Sequence, residues 1–372
     1  MTSAPSRATI DLKAYAHNLS IVRSLIPEEC RVLAVVKANA YGHGAVPIAK
    51  RAEAEGASML GVATVNEGVE LRNAGIGIPI LVLVQPAHEQ LHAAIEHDLR
   101  VCISDVICAE RLGKLAQKEN KVVPVHCEID SGMGRLGFDM AKAATELMFL
   151  TRISFIDIEA IMTHFPVADA PGDPFTANQV RTFKQLLKEL GQQGIPYELA
   201  HAANSAATIN HASSVFDMVR PGLMTYGVWP MADSTDDSRL KPVLSWTTTI
   251  VATREVPIGA SIGYGRTFIT RRPTRIAVLP VGYADGYPFA LANKSDVLIR
   301  GRRCPVRGRI SMDQTVVDVT ELSGVSLGDT ATLIGTDGDE TITATELATR
   351  AATIPYEILA GIGERVERLY VE

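Results

Sequence analysis

The chain has no long hydrophobic run, no excess of one charge and no paired cysteines, and each absence removes a class of function. No stretch reaches the roughly 18 uncharged apolar residues that a membrane helix needs. The start, MTSAPSRATIDLKAYAHNL, lacks the apolar core of a secretory signal, so no membrane association is expected. Net charge is −6 with acids and bases interspersed, which gives no basic field for nucleic acid. A small molecule is the expected partner. Five cysteines (Cys30, Cys102, Cys108, Cys127, Cys304) form no CxxC pair, which points to reduced thiols in a cytoplasmic protein, and no metal is expected. The GxGxxG turn of a dinucleotide fold is missing too: after the run VLAVV the chain reads NAYGHG.

What is present is an ordinary globular balance, 47% apolar and 21% charged over 372 residues, enough for two or three domains or one large barrel. Eight short apolar runs fall at 32–36, 59–64, 80–84, 100–104, 122–129, 158–165, 197–203 and 217–221. Amphipathic stretches separate them; NQVRTFKQLLKELGQQG sets Val180, Phe183, Leu186, Leu187 and Leu190 on one helical face. Strands apolar on both faces that alternate with helices predict a parallel sheet closed as an α/β (β/α)8 TIM barrel, with an open doubly wound sheet as the competitor. From about residue 240 the rhythm changes to strands such as LSWTTTIVATREV and QTVVDVTEL separated by turns, with one helical segment near 344–352. That predicts a mostly β C-terminal domain. The polar stretch WPMADSTDDSRLKP at 229–242 supplies the boundary: 1–235 for the barrel, 236–372 for the β-rich domain.

Barrel enzymes gather their chemistry where strands end and βα loops begin. Lys37 and Tyr41 follow the first run, Arg135 the fifth, His164 closes the sixth, Asn204 and Ser205 follow the seventh, and Arg220 and Gly222 the eighth. Each has a bland alternative: a lysine at a strand end is usually a solvated cap, and Arg135 could simply pair with Asp130 or Asp139. Those alternatives do not explain why all fall on one rim. A lysine desolvated at a strand tip is a usable nucleophile towards an aldehyde. Ser205, backbone amides near Gly222 and the Tyr41 hydroxyl suit a phosphate. An aldehyde with a phosphate tail describes pyridoxal 5'-phosphate.

Across essentially its whole length the chain resembles the bacterial alanine racemases. AVVKANAYGHG is similar to that family's cofactor-lysine motif, DSGMGRLG to its arginine loop, MTHF to its barrel histidine, and HAANSAA and VRPGLMTYG to its cofactor loops. IGYGRTF, LPVGYADGYP and RISMDQ match the rest. The resemblance implies a pyridoxal-phosphate-dependent isomerase that interconverts L- and D-alanine, supplies D-alanine for peptidoglycan and works as a homodimer with shared active sites. It makes Lys37 the Schiff-base lysine and the base on one face of the substrate. Tyr264, from the other subunit, is the base on the opposite face. It assigns Arg220 to the pyridine nitrogen, His164 to support of the ring, and Tyr41, Ser205, Gly222 and Tyr356 to the phosphate, with Asn204 in the same cofactor loop. Arg135 and the Met312 backbone would position the substrate carboxylate, and Tyr283 and Asp313 would line the entrance.

Two bases on opposite faces suffice to remove and return a proton at Cα. An arginine opposite the pyridine nitrogen leaves that nitrogen unprotonated, which weakens the electron sink. Two positions depart from the family. Glu128 stands two residues before Asp130, where the family often has a carbamylated lysine, and its carboxylate is expected to anchor Arg135. Ser311 stands where a cysteine is frequent, which leaves a broader racemase, acting on serine or other small amino acids, as the alternative.

Overall fold

The computed structural model describes residues 5–170, 172–231 and 239–372. Its first strand, β1 (Ser6–Asp11), is followed by α1 (Leu12–Ser24) and then by eight parallel strands. These are β2 (Arg31–Val35), β3 (Met59–Val62), β4 (Ile80–Val82), β5 (Arg100–Ile103), β6 (Val123–Asp130), β7 (Ile156–Met162), β8 (Leu199–His201) and β9 (Met218–Val219). Each pairs with the next, and β9 pairs with β2 through Val219 and Val32, so the sheet closes on itself. All eight expected runs are strands, and the barrel rather than the open sheet is the fold.

Closure needs strands without a wet face, and the sequence provides them. Met59–Val62 is buried along its whole length, as are Leu33, Ala34 and Val35. Helices α2 (Ala45–Ala54), α3 (Val65–Asn73), α4 (Leu91–Glu96), α5 (Val106–Glu119), α6 (Ala143–Leu150), α7 (Phe175–Gln192) and α8 (Ser205–Asn210) alternate with the strands. In α7 the expected stripe Val180, Phe183, Leu186 and Leu190 is buried and Leu187 lies at its edge. Local caps set where helices start: Asp105 accepts from the Cys108 amide at 2.7 Å, and Thr64 and Glu67 form a reciprocal capping box on α3.

The β-rich unit contains β10 (Leu244–Thr249), β11 (Ala252–Val256), β12 (Thr274–Leu279), β13 (Asp296–Ile299), β14 (Arg302–Pro305), β15 (Thr315–Asp318), β16 (Thr330–Asp337) and β17 (Glu367–Val371). One sheet runs β14–β13–β16–β10–β1–β17, and a smaller one β11–β12–β15. The late helix is present as α9 (Ala344–Ala351). A further helix, α10 (Pro355–Ala360), was not expected; its six residues are too few for a clear period.

The division drawn at 235/236 lies within 232–238, outside the described residues. One part of it needs correction. β1 was assigned with the barrel, yet it pairs antiparallel with β10 and parallel with β17 in the β-rich sheet. Its side chains alternate buried and half-exposed, the period of a strand with one covered face, not of a barrel strand. Trp246 fixes that pairing from the core side, with its indole N–H on Ser6 Oγ at 2.8 Å. Residues Tyr41–Gly44 also belong to this unit. Among the described residues no helix is long and apolar enough to cross a membrane.

Candidate active site at the strand ends of the barrel

Lys37 follows the C-terminal end of β2 by a single residue, Val36, and is half-buried. Burial lowers the pKa of its ammonium, Arg135 and Arg220 push it the same way, and Glu67 opposes them. A solvated cap would feel none of this. Beyond Lys37 the backbone turns left-handed: Ala38, Asn39, Ala40 and Tyr41 have φ of 52 to 53° and Gly42 has φ of 80°. Left-handed geometry costs an L-residue roughly 1–2 kcal/mol, so four non-glycine residues together store about 4–8 kcal/mol. Such strain persists only where surrounding contacts fix it. Here the Ala38 amide donates to Glu67 Oε1 at 2.7 Å, the Ala40 amide to the Val36 carbonyl at 2.9 Å and the Ala45 amide to Asn39 Oδ1 at 2.8 Å. His43 adds a ring nitrogen 2.9 Å from the Tyr41 carbonyl.

Arg220, 4% exposed, sits at the end of a buried relay. Its Nη1 is 2.8 Å from His201 Nδ1, and Nη2 donates to the Thr163 and Ala202 carbonyls and lies 3.1 Å from His164 Nδ1. His201 Nε2 is 2.8 Å from His126 Nδ1, and His126 Nε2 is 2.9 Å from Glu159 Oε2, which Arg100 also holds. The direction of every bond follows from the chemistry. A guanidinium cannot accept, so His201 Nδ1 does; His201 then donates from Nε2 to His126, and His126 donates to Glu159. Burial, with Arg220 next, drives His201 well below the usual histidine range, and burial also lowers His126. Burial, then Arg220, Arg135 and Lys37, takes His164 down to about 3. All three rings are neutral near pH 7. Burial pushes Arg220 down to about 10, with Glu128 and Cys102 pulling it back, so it remains a cation. Among the described residues its Nε has no partner.

This relay was missed in the sequence. A signal existed: His126 and Glu128 lie two apart on one core strand, hence on the same side, and both are buried. Buried polar groups demand partners, but nothing local names them.

Ser205, at the first turn of α8, is buried with its hydroxyl 2.9 Å from the Gly222 amide and 3.3 Å from the Met224 amide. The oxygen thus accepts from two amides, which leaves the Ser205 O–H free to donate to a phosphate oxygen beside small residues. Met224 was not anticipated. Asn204 uses its side chain as the α8 cap, accepting from the Ala207 amide at 3.0 Å and donating to the Phe165 carbonyl at 3.4 Å. In the β-rich unit the rings of Tyr41 and Tyr356 are 5.8 Å apart.

The arginine loop is tightly built around Asp130, whose carboxylate accepts from the Gly132 and Gly134 amides at 2.9 and 3.0 Å. Arg135 pairs with neither Asp130 nor Asp139, is exposed, and has no hydrogen-bond partner among the described residues. Glu128, 3% exposed, meets the Cys102 thiol at 3.6 Å. Burial raises its pKa while Arg220 and Arg135 pull it down, so its link to Arg135 is one of charge, without direct contact. Among the β-rich residues, the Tyr283 amide donates to the Ser311 carbonyl and the Ala284 amide to that of Met312, at 3.1 and 3.0 Å. The Met312 amide has no partner among the described residues, and Asp313 accepts from Arg365 at 2.8 Å. Tyr264 follows Gly263 (φ 70°) and is 71% exposed.

The residues in the barrel therefore fit pyridoxal phosphate: an amine of lowered pKa, a buried hydroxyl fixed by two backbone amides, and a buried guanidinium whose Nε–H is uncommitted among the described residues. The chain is also similar to known proteins. The family description "Alanine racemase, N-terminal domain" matches residues 10–230, and "Alanine racemase, C-terminal domain" matches 243–370. The alanine racemase of Halothermothrix orenii is 44% identical over 366 residues, 98% of this chain and 97% of that protein. The solved alanine racemase of Bacillus anthracis with bound L-Ala-P is 35% identical with a TM-score of 0.94, covering 100% of this chain and 96% of that one. That of Bartonella henselae, with covalently bound pyridoxal phosphate, is 30% identical with a TM-score of 0.90, covering 99% and 100%.

Proposed function

The chain belongs to the alanine racemase family and racemises alanine, and from that premise we propose how its own residues carry the reaction. The observation that carries the proposal is Lys37: an amine at a barrel strand end whose pKa is pulled down by burial and two arginines. Pyridoxal phosphate, covalently bound in the Bartonella henselae neighbour, would hold the electrons left at Cα when its proton departs. Lys37 would form the covalent link and, freed by substrate, take the Cα proton on one face through its neutral Nζ. The Tyr264 hydroxyl, contributed by the partner copy of a homodimer, would serve the opposite face; its exposure in a single chain fits that assignment.

Arg220 stays charged and would face the ring nitrogen, its Nη1 held in place because His201 can only accept from it. His164, neutral and beside Arg220, supports the ring. Ser205, Gly222, Tyr41 and Tyr356 hold the phosphate, with Asn204 shaping the loop. Arg135 and the Met312 amide bind the carboxylate, and Tyr283 and Asp313 line the entrance. Five cysteines, all buried free thiols, fit a cytoplasmic enzyme that supplies D-alanine for peptidoglycan. Ser311 is the reason to test serine as a second substrate.

The test is deuterium uptake at Cα from deuterated water, begun separately from L-alanine, D-alanine and L-serine. The intact chain exchanges both alanine enantiomers and interconverts them. Tyr264→Phe keeps exchange from one enantiomer and loses it from the other, and Lys37→Ala loses both. Wild-type exchange of both enantiomers by Tyr264→Phe would remove the two-base reading.

A further inference from the structure

The left-handed turn after Lys37 is held from outside by one carboxylate. Glu67, in the first turn of α3, accepts from three backbone amides: Ala38 on Oε1 at 2.7 Å, and Ala63 and Thr64 on Oε2 at 2.7 and 3.1 Å. Ala63 directly follows β3, so a single side chain ties the residue after the lysine to the end of the neighbouring barrel strand. The family motif around Lys37 does not contain it, since it lies 29 residues away from Ala38.

We propose that Glu67 is a positioning residue for Lys37: its two carboxylate oxygens clamp the strained Ala38–Tyr41 turn to the end of β3 and so fix where the lysine side chain starts. The proposal rests on the reading of Lys37 as the reacting amine. An ionised carboxylate is required because both oxygens must accept at once. A glutamine has one acceptor and one donor, so its NH2 group must face either the Ala38 amide or the Ala63–Thr64 pair. One half of the clamp is then lost, with no change in size. The charge acts as well, opposing Arg135 and Arg220 at the lysine ammonium. Thr64 provides the control. Its Oγ1 accepts from the Glu67 amide at 3.2 Å, so Thr64→Ala removes this side-chain helix cap while leaving all three clamp donors, its own backbone amide among them, in place.

The experiment compares the full chain with Glu67→Gln, Glu67→Asp and Thr64→Ala, using amide hydrogen exchange resolved to the 37–41 segment together with alanine racemisation kinetics. Glu67→Asp keeps the charge but is one methylene too short to span both sets of amides, and it stands in should the glutamine variant not fold. In both Glu67 variants, exchange in 37–41 rises by roughly tenfold or more, the scale of losing a charge-assisted hydrogen bond. Their kcat falls with KM for alanine nearly unchanged. Thr64→Ala leaves both readouts at wild-type values although it melts earlier. Unchanged exchange at 37–41, an equal rise in Thr64→Ala, or released exchange with intact kcat each overturns the clamp. An intact chain that racemises nothing overturns the proposed function instead, and the exchange data then stand apart.

Discussion

Acidification should unfold this protein through its buried histidines, over a pH window set by their environment. His164 has its pKa lowered from 6.5 to about 3 by burial, Arg220, Arg135 and Lys37. His201 and His126 are lowered too, each chiefly by burial. A folded-state pKa below the unfolded one means that the unfolded chain binds more protons. The stabilisation is therefore complete above about pH 6.5 and is lost as pH falls towards the folded value. At pH 5 the unfolded His164 is protonated and the folded one is not, a difference of about 1.5 pH units or roughly 2 kcal/mol. The other two rings act with the same sign and add to that loss, while Glu128, whose pKa burial raises, acts against it. Glu159 belongs to a lower window. Burial alone would raise its pKa, but His126 and Arg100 hold it to about 2, so its contribution is present above 4.5 and disappears only below that. The assay is urea unfolding at constant salt between pH 8 and pH 5, with midpoints converted through a common m value. His164→Gln should remove roughly 2 kcal/mol of the pH 5 loss. A wild-type loss under about 1 kcal/mol at pH 5 would mean the histidines are not held neutral, and the relay's bond directions would be wrong.

Two further substitutions probe the site and its surroundings. Glu128→Gln keeps shape but deletes the buried charge that Arg135 and Arg220 feel, so KM for alanine should rise roughly tenfold with kcat little changed; steady-state kinetics identical to wild type would end the anchoring role of Glu128. Gly42 has φ of 80°, and a Cβ there would lie 2.1 Å from the Leu359 carbonyl oxygen, so Gly42→Ala should cost at least about 3 kcal/mol in chemical unfolding. A loss below about 1 kcal/mol would show that the turn relaxes freely.

The eight barrel strands were legible because each is a local fact: a short run such as MLGV, apolar at every position, has no wet face, and the helical period of α7 identifies its buried stripe unaided. The strand-end residues Lys37, His164, Ser205 and Arg220 were legible for a related reason, since a reactive or charged group at the end of a core run is a local anomaly. Everything carried by pairing over long separations was hidden. β1 has the alternation of a strand, but only the folded sheet shows that its neighbours are β10 and β17, both far downstream in the chain. The left-handed turn could not be read from KANAY, because four residues with side chains accept such strain only when Glu67 and its other partners hold them. His126 and His201 are 75 residues apart and each looks like an ordinary core histidine until the barrel sets them 2.8 Å from one another. The sequence by itself determined which faces are apolar and which residue types stand at the strand ends. Only the tertiary structure decided which acceptor meets which donor, because periodicity specifies the side a residue faces and not the neighbour it finds there.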